Sequence, residues 1–334
     1  MPVSLSGFNL ARLKIHEQVG AGTFGIVYRA TDEKNNLLAV KVARPGNELT
    51  TDSETNSKNF LPTQALCLFS GGYNEIHPSP ASLLEVQKTR SKLAAGILPE
   101  TNGPFTAGSN HYISMEFIKG MTLRQLLNHN LVIADQHIND IDLAIKVLDA
   151  LVALKNSKLE YHGDLKPENI ILSGAGVRII DPGYFGPLAS EEGMIPRAVI
   201  STTQYYPLLE PDDSFAIGCM LWEICLGYHP LMNAEKQEQA GSQKKAIGTD
   251  LQAQIAVQEL MGRYFLSPLS FLQLPQEKCQ WLAADQQDLF LSLVGLRKDQ
   301  SHRLELAPAL SAQEALQAMR RLKESGINSF RVLT

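Results

Sequence analysis

With 334 residues, 35 acidic against 30 basic side chains and 44% apolar residues, the chain has material for about two lobes around a sizeable core, and disorder as a class is excluded. A net charge of -5 argues against a nucleic-acid or anionic-membrane surface as the main partner. Four cysteines without CxxC spacing make no disulfide framework, so a reducing compartment, the cytoplasm, is expected.

The opening MPVSLSGFNLARLK has no apolar core of a secretory signal. Leu13–Val19, Ile26–Ala30 and Leu37–Val42 then read as strands, the last two joined by a turn at Asp32, Asn35 and Asn36. Pro45–Asn59 is polar and reads as a loop or insertion. Pro80 opens an expected helix over Ala81–Leu93, and His111–Phe117 alternates like a strand. From Thr122 the period becomes helical: Ile141, Ala144, Ile145, Leu148, Leu151 and Val152 form an apolar stripe. Short strands return at Ile170–Leu172 and Val177–Ile180. Helices are expected over Asp213–Leu226, Leu251–Gly262, Asp285–Val294 and Ser311–Glu324, the last with a capping box at Ser311 and Glu314 and a stop at Gly326. The apolar run Phe215–Tyr228 is too short to span a membrane, which takes about 20 residues, and it contains Glu223; it reads as a buried core helix.

Three constellations carry chemistry. The first is Gly20-Ala-Gly22-Thr-Phe-Gly25-Ile-Val27, where backbone without Cβ can approach a polyphosphate and aim N–H groups at it. A dinucleotide fold would continue into a helix, whereas IVYRATD continues as a strand, so a glycine-rich hairpin is favoured. The second is Lys41, inside the apolar run Ala39-Val40-Lys41-Val42. Its ammonium needs an anion such as a nucleotide phosphate, unless it snorkels at a strand edge. The third is Tyr161-His162-Gly163-Asp164-Leu165-Lys166-Pro167-Glu168-Asn169, followed by Asp181-Pro182-Gly183. Phosphoryl transfer needs a carboxylate to take or orient a hydroxyl proton, hard oxygens to hold Mg2+, and a cation against developing charge. Asp164, Asn169, Asp181 and Lys166 supply those types.

Together these segments resemble eukaryotic-type (Hanks-type) Ser/Thr protein kinases from about Leu13 to Leu322. The resemblance implies an α+β, bilobal fold: a small β-rich N-lobe over 1–117, with an insertion at about 45–75, and a larger, mainly helical C-lobe over 118–334. It makes Gly20, Gly22, Gly25 and Val27 the phosphate-covering loop and Lys41 the phosphate-orienting lysine. Asp164 becomes the base, Lys166 the γ-phosphate cation, and Asn169 and Asp181 the metal ligands. Glu85, placed by spacing on the expected helix with Glu75 as the alternative, would pair with Lys41. Val19, Val27, Ala39, Met115, Ile171 and Ile180 would sandwich adenine, with the backbone of Glu116 and Ile118 reading its edge. Thr202 would help shape the acceptor site. ATP, Mg2+ and a protein carrying Ser or Thr are the implied cofactors and substrate.

Three departures stand out. Gly163 replaces the arginine that in this family meets a phosphorylated activation loop, so activity is expected not to need that switch. Pro182 replaces the phenylalanine after the metal-binding aspartate, and the segment Thr202–Glu210 is compressed against Asp213, which leaves a Glu210–Arg303 pair open. The reading that follows is transfer of the ATP γ-phosphate to Ser/Thr hydroxyls of proteins. A small-molecule phosphotransferase, or a pseudokinase scaffold, are the alternatives.

Overall fold

The computed structural model describes residues 9–10, 12–22, 25–43, 80–107, 110–133, 136–187, 197–200, 205–206, 212–230, 275, 279–301 and 303–331. β1 (Asn9–Leu10), β2 (Leu13–Gly22), β3 (Gly25–Thr31) and β4 (Leu37–Ala43) precede helix α1 (Pro80–Leu93), and β5 (Thr101–Ala107) and β6 (Asn110–Glu116) follow it. All six strands join one antiparallel sheet in the order β1-β2-β3-β4-β6-β5. The four expected strands are there. The β3–β4 turn forms because the Asp32 carboxylate accepts from the backbone N–H of Lys34 and Asn36, both at 2.8 Å, with Asn35 at φ 61°. β5 was not expected, since TNGPFTA shows no apolar alternation.

The two-residue period of β4 divides its side chains between two small cores. Val40 and Val42 join Ile15, Tyr28, Ala30 and Tyr112 on one face. Ala39 and Ala43 join Leu84 of α1, Ile113 and Met115 on the other. Lys41 lies between those two alanines and therefore points to the α1 side. The sequence thus puts an ammonium into a helix-covered face, 8% exposed.

After β6, residues 117–119 carry no regular structure. β7 (Gly120–Thr122) then leads into α2 (Leu123–Asn128), where Thr122 and Gln125 cap each other reciprocally. β8 (Val132–Ile133) and β9 (Gln136–His137) form a hairpin before the long helix α3 (Asp140–Lys155). Next come a 3-10 turn at Pro167–Asn169, β10 (Ile170–Ser173), β11 (Gly176–Ile179), β12 (Tyr184–Pro187), β13 (Arg197–Ile200) and α4 (Ser214–Leu226). The described chain ends with α5 (Ala284–Leu293), β14 (Leu296–Lys298), β15 (Leu304–Leu306) and α6 (Ala312–Glu324).

The main core belongs to this helical part. Ile141, Ala144, Leu148 and Leu151 of α3 are buried as the stripe requires, while Ile145 and Val152 pack at its edge. In α4 every residue from Ala216 to Leu226 is buried, Glu223 included. Trp222 of α4 donates from Nε1 to the Phe290 carbonyl at 2.8 Å and meets the Phe290 ring edge-on. α6 carries the expected Ser311–Glu314 box and stops at Gly326 with φ 87°. The 45–75 insertion, the expected helix Leu251–Gly262 and Cys67 lie outside the described residues. Among the described residues no helix is long and apolar enough to cross a membrane.

Candidate active site

The loop between α3 and β10 is held from beneath by one carboxylate. Asp213, just before α4, accepts from the backbone N–H of His162 at 2.5 Å and of Gly163 at 2.9 Å. It also accepts from the Tyr206 hydroxyl at 2.7 Å, which in turn accepts from the Leu165 N–H at 2.8 Å. Three N–H groups of four consecutive residues thus depend on Asp213, directly or through Tyr206. Gly163 sits at φ 82°, a conformation that costs other residue types roughly 1–2 kcal/mol. His162 is fully buried: Nε2 donates to the Ile180 carbonyl at 3.0 Å and Nδ1 accepts from the Asp164 N–H at 3.3 Å. Burial pushes its pKa down, against the pull of Asp213 and Asp164, in keeping with a neutral ring.

On this platform the polar side chains converge. Lys166 Nζ donates to the Asp164 carboxylate at 2.8 Å. Asn169 Nδ2 donates to the Asp164 backbone carbonyl at 2.8 Å and its carboxylate at 3.2 Å, and reaches the Asp181 carbonyl at 3.4 Å. Asp181, at φ 57°, turns its carboxylate to Lys41, whose Nζ lies 2.5 Å from Oδ1. Burial pushes the Asp181 carboxyl up, but the cations of Lys41 and Lys166 outweigh it and hold it below the usual range. Burial opposes the charge on Lys166, and Asp164 more than restores it. Asp181 is therefore ionised at neutral pH. Asn169 spends its amide nitrogen on Asp164, which leaves its carbonyl oxygen, with Asp181, as a pair of hard donors. That pair fits Mg2+, which keeps several waters and takes phosphate oxygens.

The helix partner of Lys41 is not Glu85. Gln87 accepts from Lys41 Nζ at 3.0 Å, while Glu85 is exposed and pairs with Lys88 at 3.0 Å. Helical residues two positions apart are about 200° apart around the axis, so with Gln87 inward Glu85 faces away. Glu75 lies outside the described residues. The inner face of α1 is Leu84, Gln87, Arg90, Ser91 and, just beyond, Ala94. Arg90 was not singled out from the sequence. Its guanidinium donates to the carbonyls of Tyr161 at 2.6 Å and His162 at 3.2 Å and stacks over the Tyr161 ring, tying α1 to the loop that carries Asp164.

The family model described as "Protein kinase domain" matches residues 91–313, more than half of the chain. The chain belongs to the protein kinase domain family. The match starts inside α1 and leaves the glycine-rich hairpin and Lys41 before it. A "Probable serine/threonine-protein kinase PknB" of Lactococcus lactis subsp. lactis is 27% identical over 66% of this chain and 32% of its own length. The "Serine/threonine-protein kinase PknB" of Mycolicibacterium smegmatis is 32% identical over 66% of this chain and 33% of its length. The chain thus spans about a third of the length of the curated relatives it matches. Among solved structures, Rad53 1-466 in complex with AMP-PNP superposes with a TM-score of 0.48 at 18% identity, over 91% of this chain and 64% of that one.

In this kinase domain Gly20 and Gly22 lie on β2, and Gly22 pairs with Gly25 at the start of β3. A Cβ on Gly25 would stand 2.6 Å from the Val42 carbonyl oxygen, so packing against β4 already demands glycine there. Val27 packs with Ala39, Met115 and Phe117 on the Lys41 face of the sheet. Val19 is exposed, and Ile118, Ile171 and Ile180 are half-buried. The Glu116 side chain makes a two-pronged bond to Arg178 of β11, at 3.1 and 2.7 Å, across the 117–119 connection. Pro182 is buried behind Asp181. Thr202 and Glu210 lie outside the described residues, and Arg303 is exposed.

A second cluster braces the far end of the loop. Arg124 of α2 donates to Glu168 at 2.8 Å, to Glu223 of α4 at 2.5 Å and to the Tyr205 hydroxyl at 2.8 Å, and Tyr205 donates to Glu223. Burial opposes the Glu168 charge, yet Arg124 holds its carboxyl below the usual range. The sequence announced this cluster only through the lone Glu223 in an apolar helix.

Proposed function

We propose that the chain is a Mg2+/ATP-dependent protein kinase that transfers the γ-phosphate to Ser or Thr hydroxyls. One observation supports this most: Asp164, Lys166 and Asn169 of the α3–β10 loop, Asp181 after β11 and Lys41 of β4 form one continuous hydrogen-bonded set. In this reading Asp164 accepts or orients the proton of the acceptor hydroxyl, and Lys166 beside it offsets charge on the transferring group. Asn169 Oδ1 and Asp181 would hold Mg2+, which supplies electrostatic stabilisation of the phosphate oxygens. Lys41 would contact the α/β-phosphates, and the β2–β3 glycines would cover them. Val19, Val27, Ala39, Met115, Ile171 and Ile180 would enclose adenine, with the backbone of Glu116 and Ile118 at its edge. Thr202 would shape the acceptor site. A 1–117 N-lobe and 118–334 C-lobe, and a cytoplasmic location, fit the 117–119 link without regular secondary structure and the buried cysteines Cys219, Cys225 and Cys279.

The test is phosphate incorporation from labelled ATP into a casein-type protein, run beside a metabolite panel. The wild type is expected to label protein Ser or Thr and Asp164→Ala to lose at least about a hundredfold. Labelling of a small molecule instead would move the chain to a metabolite phosphotransferase, and equal, near-zero rates for both forms would make it a scaffold.

A further inference from the structure

α1 brings a neutral amide, not a carboxylate, to the buried ammonium of Lys41. The only carboxylate within ion-pair distance of Lys41 among the described residues is Asp181, at 2.5 Å. An ammonium this buried requires a counter-ion, and a glutamine supplies a bond but no charge. Among the described residues, the one that neutralises Lys41 is therefore the same one whose oxygen would hold the metal.

We propose that Gln87 is a positioning residue that makes Lys41 a removable clasp on Asp181, so that metal alone is rejected and metal and nucleotide enter as one complex. The inference rests on the kinase reading and names how its site is loaded. In the empty site Lys41 neutralises Asp181 and opposes an incoming divalent cation. A nucleotide's phosphates offer Lys41 a replacement anion, and Asp181 is then released to the metal bound to those same phosphates. Gln87 holds the lysine stem in place throughout, because its amide oxygen accepts from Nζ whichever anion is present. A glutamate at this position would break the arrangement by satisfying Lys41 permanently.

Mn2+ affinity of the full chain without nucleotide, read from the signal of free Mn2+ by electron paramagnetic resonance, tests this. Gln87→Glu is expected to tighten nucleotide-free Mn2+ binding about tenfold, the difference between a neutral and a charge-assisted partner for Lys41. Lys41→Met should tighten it at least as much, and adding Gln87→Glu on top should gain less than about twofold, because the clasp is already gone. Gln87→Ala should leave Mn2+ binding as weak as in the wild type. An unchanged affinity in Gln87→Glu overturns the proposal. So does an equal gain with and without Lys41, which would mark simple long-range attraction, and so does failure of Lys41→Met to expose a metal site. Titration of the wild type with Mn2+ and ADP together answers the separate question: if ADP does not tighten Mn2+ binding, the kinase reading itself fails, whatever the variants do.

Discussion

Replacing Asp213 by asparagine tests whether the loop that carries Asp164 is fastened as the geometry implies. Oδ1 of Asp213 serves both the Gly163 N–H and the Tyr206 hydroxyl, and Oδ2 serves the His162 N–H. An asparagine can keep its single oxygen at the doubly used position, but its NH2 then faces the His162 N–H, donor against donor. One charge-assisted bond, worth roughly 1.5–3 kcal/mol, is lost, and a backbone donor is left buried without a partner. The expected cost for Asp213→Asn is about 2–4 kcal/mol, measured by urea unfolding followed by circular dichroism. Tyr206→Phe, which strands the Leu165 N–H, should cost about 1–3 kcal/mol. At a temperature where the variant stays folded, kcat should fall on the order of a hundredfold, since a shift of about 1 Å in a positioned group costs that much. An Asp213→Asn protein within about 0.5 kcal/mol of wild type and with unchanged kcat would refute the reasoning.

Gly218 of α4 would place a Cβ 1.9 Å from the Leu293 carbonyl oxygen of α5, so Gly218→Ala should destabilise by about 3 kcal/mol or more in thermal unfolding, although helix propensity alone favours alanine by about 1 kcal/mol. Because His162 resists protonation when folded and not when unfolded, the unfolded chain binds the extra proton as pH drops through about 6.5. Stability should then fall on acidification by up to about 1.4 kcal/mol per pH unit. Denaturation midpoints at pH 5 and 7.5 should show a shallower dependence in His162→Gln, and equal slopes would contradict the assignment. Gly163 offers no side chain to a phosphorylated loop, so phosphatase treatment should leave protein phosphorylation within about twofold; a tenfold loss would point to a switch elsewhere.

What could be read from the sequence and what could not divide along a physical line. Asp164, Lys166, Asn169 and Asp181 lie within one short stretch of chain, where spacing and residue type point to phosphoryl-transfer chemistry before any folding is considered. Likewise Lys41 stands out because a strand's two-residue period shows which neighbours share its face. The helix partner was misplaced for the opposite reason. α1 turns Gln87, Arg90 and Ser91 inward, so its buried face is polar and no apolar stripe marks it. A placement by spacing, with Leu83, Leu84 and Val86 as apolar neighbours, lands on Glu85, on the outer side. The signal available was the series Leu84, Gln87, Ser91, Ala94 at helical spacing, which only makes sense once the polar members are known to have partners on other elements.

Those partners explain why α4 is apolar almost throughout and yet carries two acids that matter. Asp213 precedes its first turn and holds the start of the loop that carries Asp164, while Glu223 near its end holds Arg124 and, through it, Glu168 at the far side of the same loop. From Ala216 to Leu226 the helix is buried without exception, packed with α3 and α5. A helix this enclosed cannot shift without disturbing the main core, so the two acids are fixed points. The loop itself is seated in the main core by Leu159 and Leu165, and the two acids fix its backbone and its far end. The N-lobe side is held differently: among the described residues α1 reaches the loop through the Arg90 guanidinium on two backbone carbonyls, and Lys41 reaches Asp181 through an ion pair. The C-lobe groups are thus preset, while the described contacts on the Lys41 side are polar bonds that an anion can exchange, and it is at that side that the proposed clasp would act.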